Sequence, residues 1–140
     1  MNEKNPCALI TGISGQDGTY LAELLLRKNY KIIGITRNIE TTKEKLPFEL
    51  KNRIDLVSWD FTNQQKIIDI LLDNHPDEIY NFAAYSSGVG MYDNPIDISK
   101  INGLSVTLIL EAIRLIDPDI RFCQASSSEM YGYIEDSPQS

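Results

Sequence analysis

Three glycines spaced three residues apart, Gly12, Gly15 and Gly18, have the clearest chemical use in this sequence. A short apolar run precedes them and an amphipathic run follows, which predicts a strand, a tight turn and a helix. Gly12 allows a positive φ, Gly15 leaves no side chain between the helix and an approaching pyrophosphate, and Gly18 lets the helix lie close to the sheet. The turn therefore predicts a dinucleotide site, although a glycine-rich turn can also close a strand without any ligand.

The end of the second apolar run determines which dinucleotide is preferred. An Asp or Glu about 20 residues after the glycines usually binds a free ribose 2′-hydroxyl. Here the run ends in Thr36-Arg37-Asn38, and no acidic residue appears before Glu40. Because the planar guanidinium of Arg37 can pair bidentately with a 2′-phosphate, the sequence favours NADP over NAD. The alternative is that Arg37 is simply a solvated surface residue.

Two other strand ends carry residues that suit the same ligand. Asp60 and Phe61 suit an adenine, because a carboxylate can accept a hydrogen bond from its exocyclic amine. Asp is also a common turn former. Ala83 and Ala84 are small enough for a cofactor to approach the backbone closely, or they are small for packing alone.

A polar cluster, Ser126-Ser127-Ser128-Glu129, follows the last apolar run. A serine hydroxyl can polarise a carbonyl or an alcohol, and a glutamate whose pKa is raised by partial burial can move protons on carbon. A serine-rich turn with an exposed glutamate is the alternative. His75, between a helix end and Pro76, is expected to lie at the surface and to take no part in catalysis.

Five apolar runs alternate with helical patterns. The predicted strands are 7–11, 31–36, 54–58, 78–84 and 120–125, and the predicted helices are 17–28, 62–75 (capped by Thr62) and 95–116. Residues 37–48 are predicted as a loop with at most one helical turn. The predicted buried helix positions are Leu21, Leu24, Leu25, Ile67, Ile68, Leu71, Leu72, Ile101, Leu104, Leu108 and Ala112. Right-handed crossovers then give an α/β fold with a doubly wound, Rossmann-like parallel sheet in the order 3-2-1-4-5, whose ligands bind beyond the carboxyl ends of the strands.

Composition narrows the possible partners. The chain has 140 residues and a net charge of −7, which predicts one domain and argues against nucleic acid and anionic membranes as partners. No Cys/His cluster suggests a metal, and no signal peptide or run of about 20 apolar residues appears. Cys7 and Cys123 are both expected to be buried, in a reducing compartment, and the expected location is cytoplasmic.

The glycine turn, followed by Tyr20-Leu21-Ala22-Glu23-Leu24-Leu25, resembles the extended short-chain dehydrogenase/reductase (NAD-dependent epimerase/dehydratase) family. Segments 76–84, 110–114 and 121–132 extend the resemblance over almost the whole chain. Within that family the resemblance is closest to the GDP-mannose 4,6-dehydratase branch.

This resemblance implies NADP as the cofactor and a nucleotide sugar, GDP-mannose, as the substrate of a homo-oligomeric enzyme. Ser127 matches the hydroxyl residue beside the sugar O4, and Glu129 matches the acid–base at C5 and C6. The implied cofactor contacts are Gly12, Ile13, Ser14, Gly15, Gln16, Asp17, Gly18, Arg37, Asn38, Asp60, Phe61, Phe82, Ala83, Ala84, Tyr85 and Ser86.

The sequence departs from the family pattern at several points. Tyr85, Ser87 and Asp97 stand where the family usually has Gln, His and Tyr. The family's Tyr-x-x-x-Lys pair is not found, since Tyr131 is followed four residues later by Glu135. Residues 1–140 are therefore expected to be the incomplete dinucleotide-binding domain of such an enzyme, inactive alone, from a truncated chain or a split reading frame. Another sugar-nucleotide epimerase or reductase, or a non-catalytic NADP-binding module, are the alternatives.

Overall fold

A computed structural model describes residues 5–85 and 93–133 of the chain. Five strands form one sheet: β1 (Cys7–Thr11), β2 (Lys31–Thr36), β3 (Asp55–Ser58), β4 (Glu78–Asn81) and β5 (Arg121–Gln124). Their order is β3-β2-β1-β4-β5, and every neighbouring pair is parallel. The predicted α/β, doubly wound sheet is confirmed. Because the strand order reverses at β1, the loops after β1, β2 and β4 meet at one place.

The helices are α1 (Gln16–Arg27), α2 (Ile39–Lys45), α3 (Phe48–Lys51), α4 (Gln64–Asn74), α5 (Pro95–Ser99) and α6 (Ser105–Ile116). A π-helical turn, Lys100–Leu104, joins α5 to α6, and a 3-10 turn, Ser128–Tyr131, follows β5. Within the described ranges, no helix has the length and apolarity needed to cross a bilayer.

The alternation of side chains along β1 fills the core on both sides of the sheet. Leu9 packs in a cluster with Ile67 of α4 and Ile109 of α6. Ala8 and Ile10 point to the other face, into a cluster that includes residues of α1. All three β1 side chains are fully buried. A continuous apolar strand is the pattern expected when helices cover both faces.

The prediction of a loop over residues 37–48 is wrong. Helix α2 begins there because the Asn38 side chain accepts a hydrogen bond from the Thr41 N–H and caps it. The buried residue of α2 is Thr42, whose hydroxyl lies 2.6 Å from that of Thr36. A helix that buries a hydroxyl instead of an apolar stripe gives no hydrophobic periodicity to detect.

Several smaller expectations are also corrected. Asn63, not Thr62, caps α4 by accepting from the Lys66 N–H. Ile70 takes the buried position expected of Leu72, which is 47% exposed. Leu24 and Leu104 are likewise exposed, because each helical segment has more leucines than fit on its buried face. Strand β4 ends at Asn81, three residues earlier than predicted.

The two cysteines and the histidine lie in different surroundings. Cys7 is buried as expected, but Cys123 is exposed. Cys123 is the register partner of Tyr80, which belongs to the α1 side of the sheet, where α1 contacts β1 and β2. The expectation that both cysteines are buried is therefore wrong for Cys123. His75 is exposed and ends α4 in a left-handed conformation, which confirms its predicted surface position.

Candidate functional site

The glycine turn after β1 has the conformation that its sequence predicts. Gly12 has φ +66°, and its carbonyl accepts a hydrogen bond from the Gly15 N–H at 2.9 Å. Gly15 is the N-cap of α1, and no side chain caps this end of the helix. The first turn of α1 therefore presents backbone N–H groups and the positive end of the helix dipole.

The three glycines are needed for different reasons. A Cβ at Gly12 would lie 2.9 Å from the Ala83 nitrogen, and one at Gly18 would lie 2.4 Å from the Gly12 oxygen. Both positions are closed by backbone packing. A Cβ at Gly15 would meet only the Gly12 oxygen, at 3.2 Å, so here the missing side chain leaves open space in front of the helix.

A cavity of about 190 Å³ lies where the strand order reverses, beside this turn. It collects residues at or beyond the carboxyl ends of four neighbouring strands, β3, β2, β1 and β4, together with Ile101 of the π-helical turn. The residues that line it are Gly12, Ile13, Ser14, Ile35, Thr36, Arg37, Phe61, Ala83, Ala84, Tyr85 and Ile101. Eight of these belong to the predicted cofactor contacts. The predicted contacts Gly15, Gln16, Asp17, Gly18, Asn38, Asp60 and Phe82 lie outside the lining, and Ser86 lies outside the described residues.

Among the described residues that line this cavity, Arg37 carries the positive charge. It follows β2, is exposed, and faces Tyr85, which follows β4. Its Nη1 donates to the Tyr85 hydroxyl at 3.4 Å, and its guanidinium carbon lies 5.9 Å from the centre of the Tyr85 ring. The neighbouring Asn38 uses its side-chain oxygen to cap α2.

Asp60 and Phe61 form the turn after β3. One carboxylate oxygen of Asp60 accepts from the backbone N–H groups of Thr62 and Asn63, at 2.8 and 3.0 Å. The bond from Thr62 contributes most to lowering the pKa of Asp60 below its usual value. Phe61 is buried with φ +67°, a conformation that bulky residues rarely adopt, and its ring packs 4.8 Å from that of Trp59. The turn-forming role of Asp60 is therefore present, whereas a ligand role stays a prediction.

A hydrogen-bonded network that the sequence analysis did not identify supports the same edge. The buried Thr11 hydroxyl donates to the Asn81 side chain at 2.6 Å and accepts from the N–H groups of Phe82 and Ala83. Asn81 in turn donates to Gln124 at 2.8 Å. The register pairs Thr11 with Asn81 and Asn81 with Gln124. The signal that could have revealed it was a polar residue in each of three predicted apolar strands: Thr11, Asn81 and Gln124.

Ser127 and Glu129 follow β5 at the same edge of the sheet. Ser127 is exposed, and its carbonyl accepts from the Met130 N–H at 3.2 Å. Glu129 belongs to the 3-10 turn that begins at Ser128. Their catalytic roles stay predictions.

A sequence model described as GDP-mannose 4,6 dehydratase matches residues 9–140. The chain belongs to the GDP-mannose 4,6 dehydratase family. The GDP-mannose 4,6-dehydratase of Vibrio cholerae serotype O1 is 38% identical over 148 residues, which cover 99% of this chain and 39% of that protein. The human GDP-mannose 4,6 dehydratase is 34% identical over 150 residues, covering 99% of this chain and 40% of that protein. The chain thus spans about two fifths of the length of these family members.

Solved structures confirm the fold of this family member. An epimerase from Methanothermobacter thermautotrophicus superposes with a TM-score of 0.81 at 24% identity, covering 98% of this chain and 40% of the other. UDP-glucose 4-epimerase from Thermotoga maritima gives 0.81 at 18% identity, covering 95% and 42%.

Proposed function

We propose that residues 1–140 form the dinucleotide-binding domain of an NADP-dependent enzyme that dehydrates GDP-mannose to GDP-4-keto-6-deoxymannose. The observation that carries the proposal is an uncapped helix end beside a cavity whose lining includes an arginine. The uncapped end of α1 lies on the β1 side, and Arg37 lies on the β2 side. Family membership supplies the reaction and the nucleotide-sugar substrate.

The residues present fit a dinucleotide. Gly15 leaves open the space that a Cβ would fill, in front of backbone N–H groups that can hold a pyrophosphate. Ala83 and Ala84 allow close approach on the other side of the cavity. Phe61 supplies an apolar wall, and the ionised Asp60 an acceptor beside it, for the adenine end.

Arg37 supports a 2′-phosphorylated dinucleotide over the unphosphorylated form. It lines the cavity at the end of β2, the position where an acid would bind a free 2′-hydroxyl. A guanidinium there attracts a phosphate and offers paired donors to it.

The chemistry at the other end of the site follows from the family resemblance. A bound nicotinamide would supply a hydride acceptor for C4 of the sugar and a hydride donor for C6. The 4-hydroxyl proton lost together with the C4 hydride would pass to the tyrosine of the family's Tyr-x-x-x-Lys pair, which is not found in residues 1–140. The Ser127 hydroxyl polarises the oxygen at C4 of the sugar. Glu129 removes the proton at C5 and assists the loss of water from C6.

Titration calorimetry of the 140-residue chain with NADP⁺ and NAD⁺ tests the proposal. We expect tighter binding of NADP⁺ and expect Arg37→Ala to remove most of that preference. Arg53→Ala is the matched control, because Arg53 is exposed and lies just before β3, at the opposite edge of the sheet. Equal affinity for the two dinucleotides, or a preference for NAD⁺, would overturn the choice of NADP, and absence of binding would overturn the site.

A further inference from the structure

One side chain fixes the backbone of Tyr85 at the rim of the cavity. The Tyr85 N–H donates to the Asn102 side-chain oxygen at 2.8 Å, and the Asn102 amide nitrogen donates to the Tyr85 carbonyl at 3.0 Å. Asn102 thereby satisfies both backbone polar groups of a residue that lies beyond the end of β4 and has no ladder partner there.

Asn102 lies in the π-helical turn, and that turn is itself anchored. Ile101 is buried and lines the cavity, and its carbonyl accepts from the buried Ser105 hydroxyl at 2.6 Å. Single π-helical turns within helices often occur at functional sites. The backbone at Asn102 is therefore held by its buried neighbour Ile101 and by the hydrogen bond from Ser105.

The side chain of Tyr85, whose backbone is held in this way, contacts Arg37. Its hydroxyl accepts from Nη1 at 3.4 Å, and its ring lies 5.9 Å from the guanidinium carbon, within the range of a cation–π contact. An exposed arginine otherwise samples many rotamers and loses that freedom when it binds a ligand. A contact through the ring face leaves in-plane N–H groups available for a phosphate.

We propose that Tyr85, held by Asn102, is a positioning residue that preorganises Arg37 for the 2′-phosphate of the dinucleotide. This inference rests on the proposed function, because it requires Arg37 to receive that phosphate. It assigns a role to Asn102, and it gives a purpose to Tyr85, where the family usually has glutamine.

The first test needs no ligand. In an NMR spectrum of the ¹⁵N-labelled chain, the Nε–Hε resonance of Arg37 should carry a ring-current shift from Tyr85. Tyr85→Leu should abolish that shift, Asn102→Ala should reduce it, and Tyr85→Phe should retain most of it. An Arg37 resonance that is the same in the wild type and in Tyr85→Leu would overturn the positioning role.

The second test measures the ratio of the dissociation constants for NAD⁺ and NADP⁺. We expect Tyr85→Leu to lower this preference for NADP⁺ about twofold to fivefold, the range of an exposed cation–π contact. Asn102→Ala should lower it less, and Tyr85→Phe least. A purely structural role would weaken both dinucleotides equally and leave the ratio unchanged.

Asn52→Ala is the matched control for Asn102→Ala, since Asn52 is exposed and ends α3 before β3, away from the cavity. A ratio unchanged or increased in Tyr85→Leu, while the wild type prefers NADP⁺, would overturn this inference and leave the proposed function intact. Failure of the wild type to bind either dinucleotide would overturn both.

Discussion

The two ends of the parallel sheet each hold a polar network and a cleft, but with opposite electrostatic character. At the carboxyl end, Thr11, Asn81 and Gln124 form a neutral network beside a cavity of about 190 Å³ that has Arg37 at its rim. At the amino end, the cleft is larger, about 440 Å³, and its charged lining residues are three aspartates, Asp77, Asp117 and Asp119, with one arginine, Arg121.

The amino-end network is ionic. Glu78 accepts hydrogen bonds from Tyr80 at 2.6 Å and Tyr30 at 3.3 Å, and pairs with Arg121. Its side chain is only 11% exposed, so a buried carboxylate is held by three donors. The carboxyl end instead has an exposed arginine and no acid among the described residues of its cavity lining, and it leaves helix N–H groups open. The sign of the local field, rather than the volume of the cleft, marks the end of the sheet that suits a phosphate.

The largest expected loss of stability comes from a substitution that disrupts the backbone packing at the carboxyl end. Gly18→Ala places a Cβ 2.4 Å from the Gly12 oxygen, which must shift with the turn. We expect a loss of about 3 kcal/mol in the free energy of unfolding, measured by urea denaturation. Gly103→Ala is the control, because no atom outside its own helix backbone and chain neighbours lies within 4 Å of the added Cβ, and it should not destabilise the chain. Equal stability of the Gly18 variant and the wild type would contradict the close packing.

The next largest loss of stability comes from removing the Thr11 hydroxyl of the neutral network with a side chain of the same shape. Thr11→Val deletes a buried hydroxyl that donates to Asn81 and accepts from two backbone N–H groups. Because Asn81 is buried and the two N–H groups are partly buried, and all three lose a hydrogen bond, we expect a loss of about 2–3 kcal/mol in the free energy of unfolding. The same variant should weaken dinucleotide binding, since Ala83 loses its anchor. A change below about 0.5 kcal/mol would show that the network adds little.

The pH dependence of the free energy of unfolding tests the ionic network at the amino end, which the neutral network at the carboxyl end does not affect. Burial, followed by the hydrogen bond to Glu78, raises the pKa of Tyr80 to about 12. The folded chain holds this phenol proton more tightly than the unfolded chain, whose pKa is about 10, so the stabilisation is complete below about pH 10 and is lost toward pH 12. The free energy of unfolding should therefore fall with pH over that window more steeply in the wild type than in Tyr80→Phe. Parallel pH profiles for the two proteins would contradict the assignment.

The smallest expected effect is that of salt on the carboxyl end. Arg37 is exposed, so salt screens its attraction for a phosphate, with a Debye length of about 10 Å at 0.1 M. We expect the affinity of the wild type for NADP⁺ to fall a few-fold between about 0.05 and 0.5 M salt, and the affinity of Arg37→Ala to fall less. Identical salt dependence in calorimetry would remove Arg37 from the phosphate site.

The sequence predicts the strands and the glycine turn well because their signals are local. Apolar runs such as 7–11 can only be buried, and Gly12 needs its positive φ within a few residues of β1. Helix α2 was missed because Thr42 fills its buried position, and hydroxyls carry no weight in a hydrophobic pattern.

The contacts that shape the cavity rim could not be predicted. Arg37 meets Tyr85, which is 48 residues away in the chain, and Tyr85 meets Asn102, 17 residues further on. Such pairings depend on the exact rotation of each element about its axis. The exposure of Cys123 depends on which strands α1 covers. The apolar residues beside Cys123 in the sequence predict a buried side chain instead.

The π-helical turn has a consequence for insertions and deletions. A π turn holds one residue more than the α-helical turn it replaces, and each residue of an α-helix advances it by about 100°. Removing one residue from Lys100–Leu104 would restore a regular helix from α5 into α6. Both kinds of turn complete one revolution of the helix, so α5 and α6 would keep their relative rotation, and residues within the turn, Asn102 among them, would shift relative to Tyr85. The extra residue of the π turn is therefore part of the cavity rim, and a single-residue deletion there would alter the contact between Asn102 and Tyr85 while the glycine turn stayed in place.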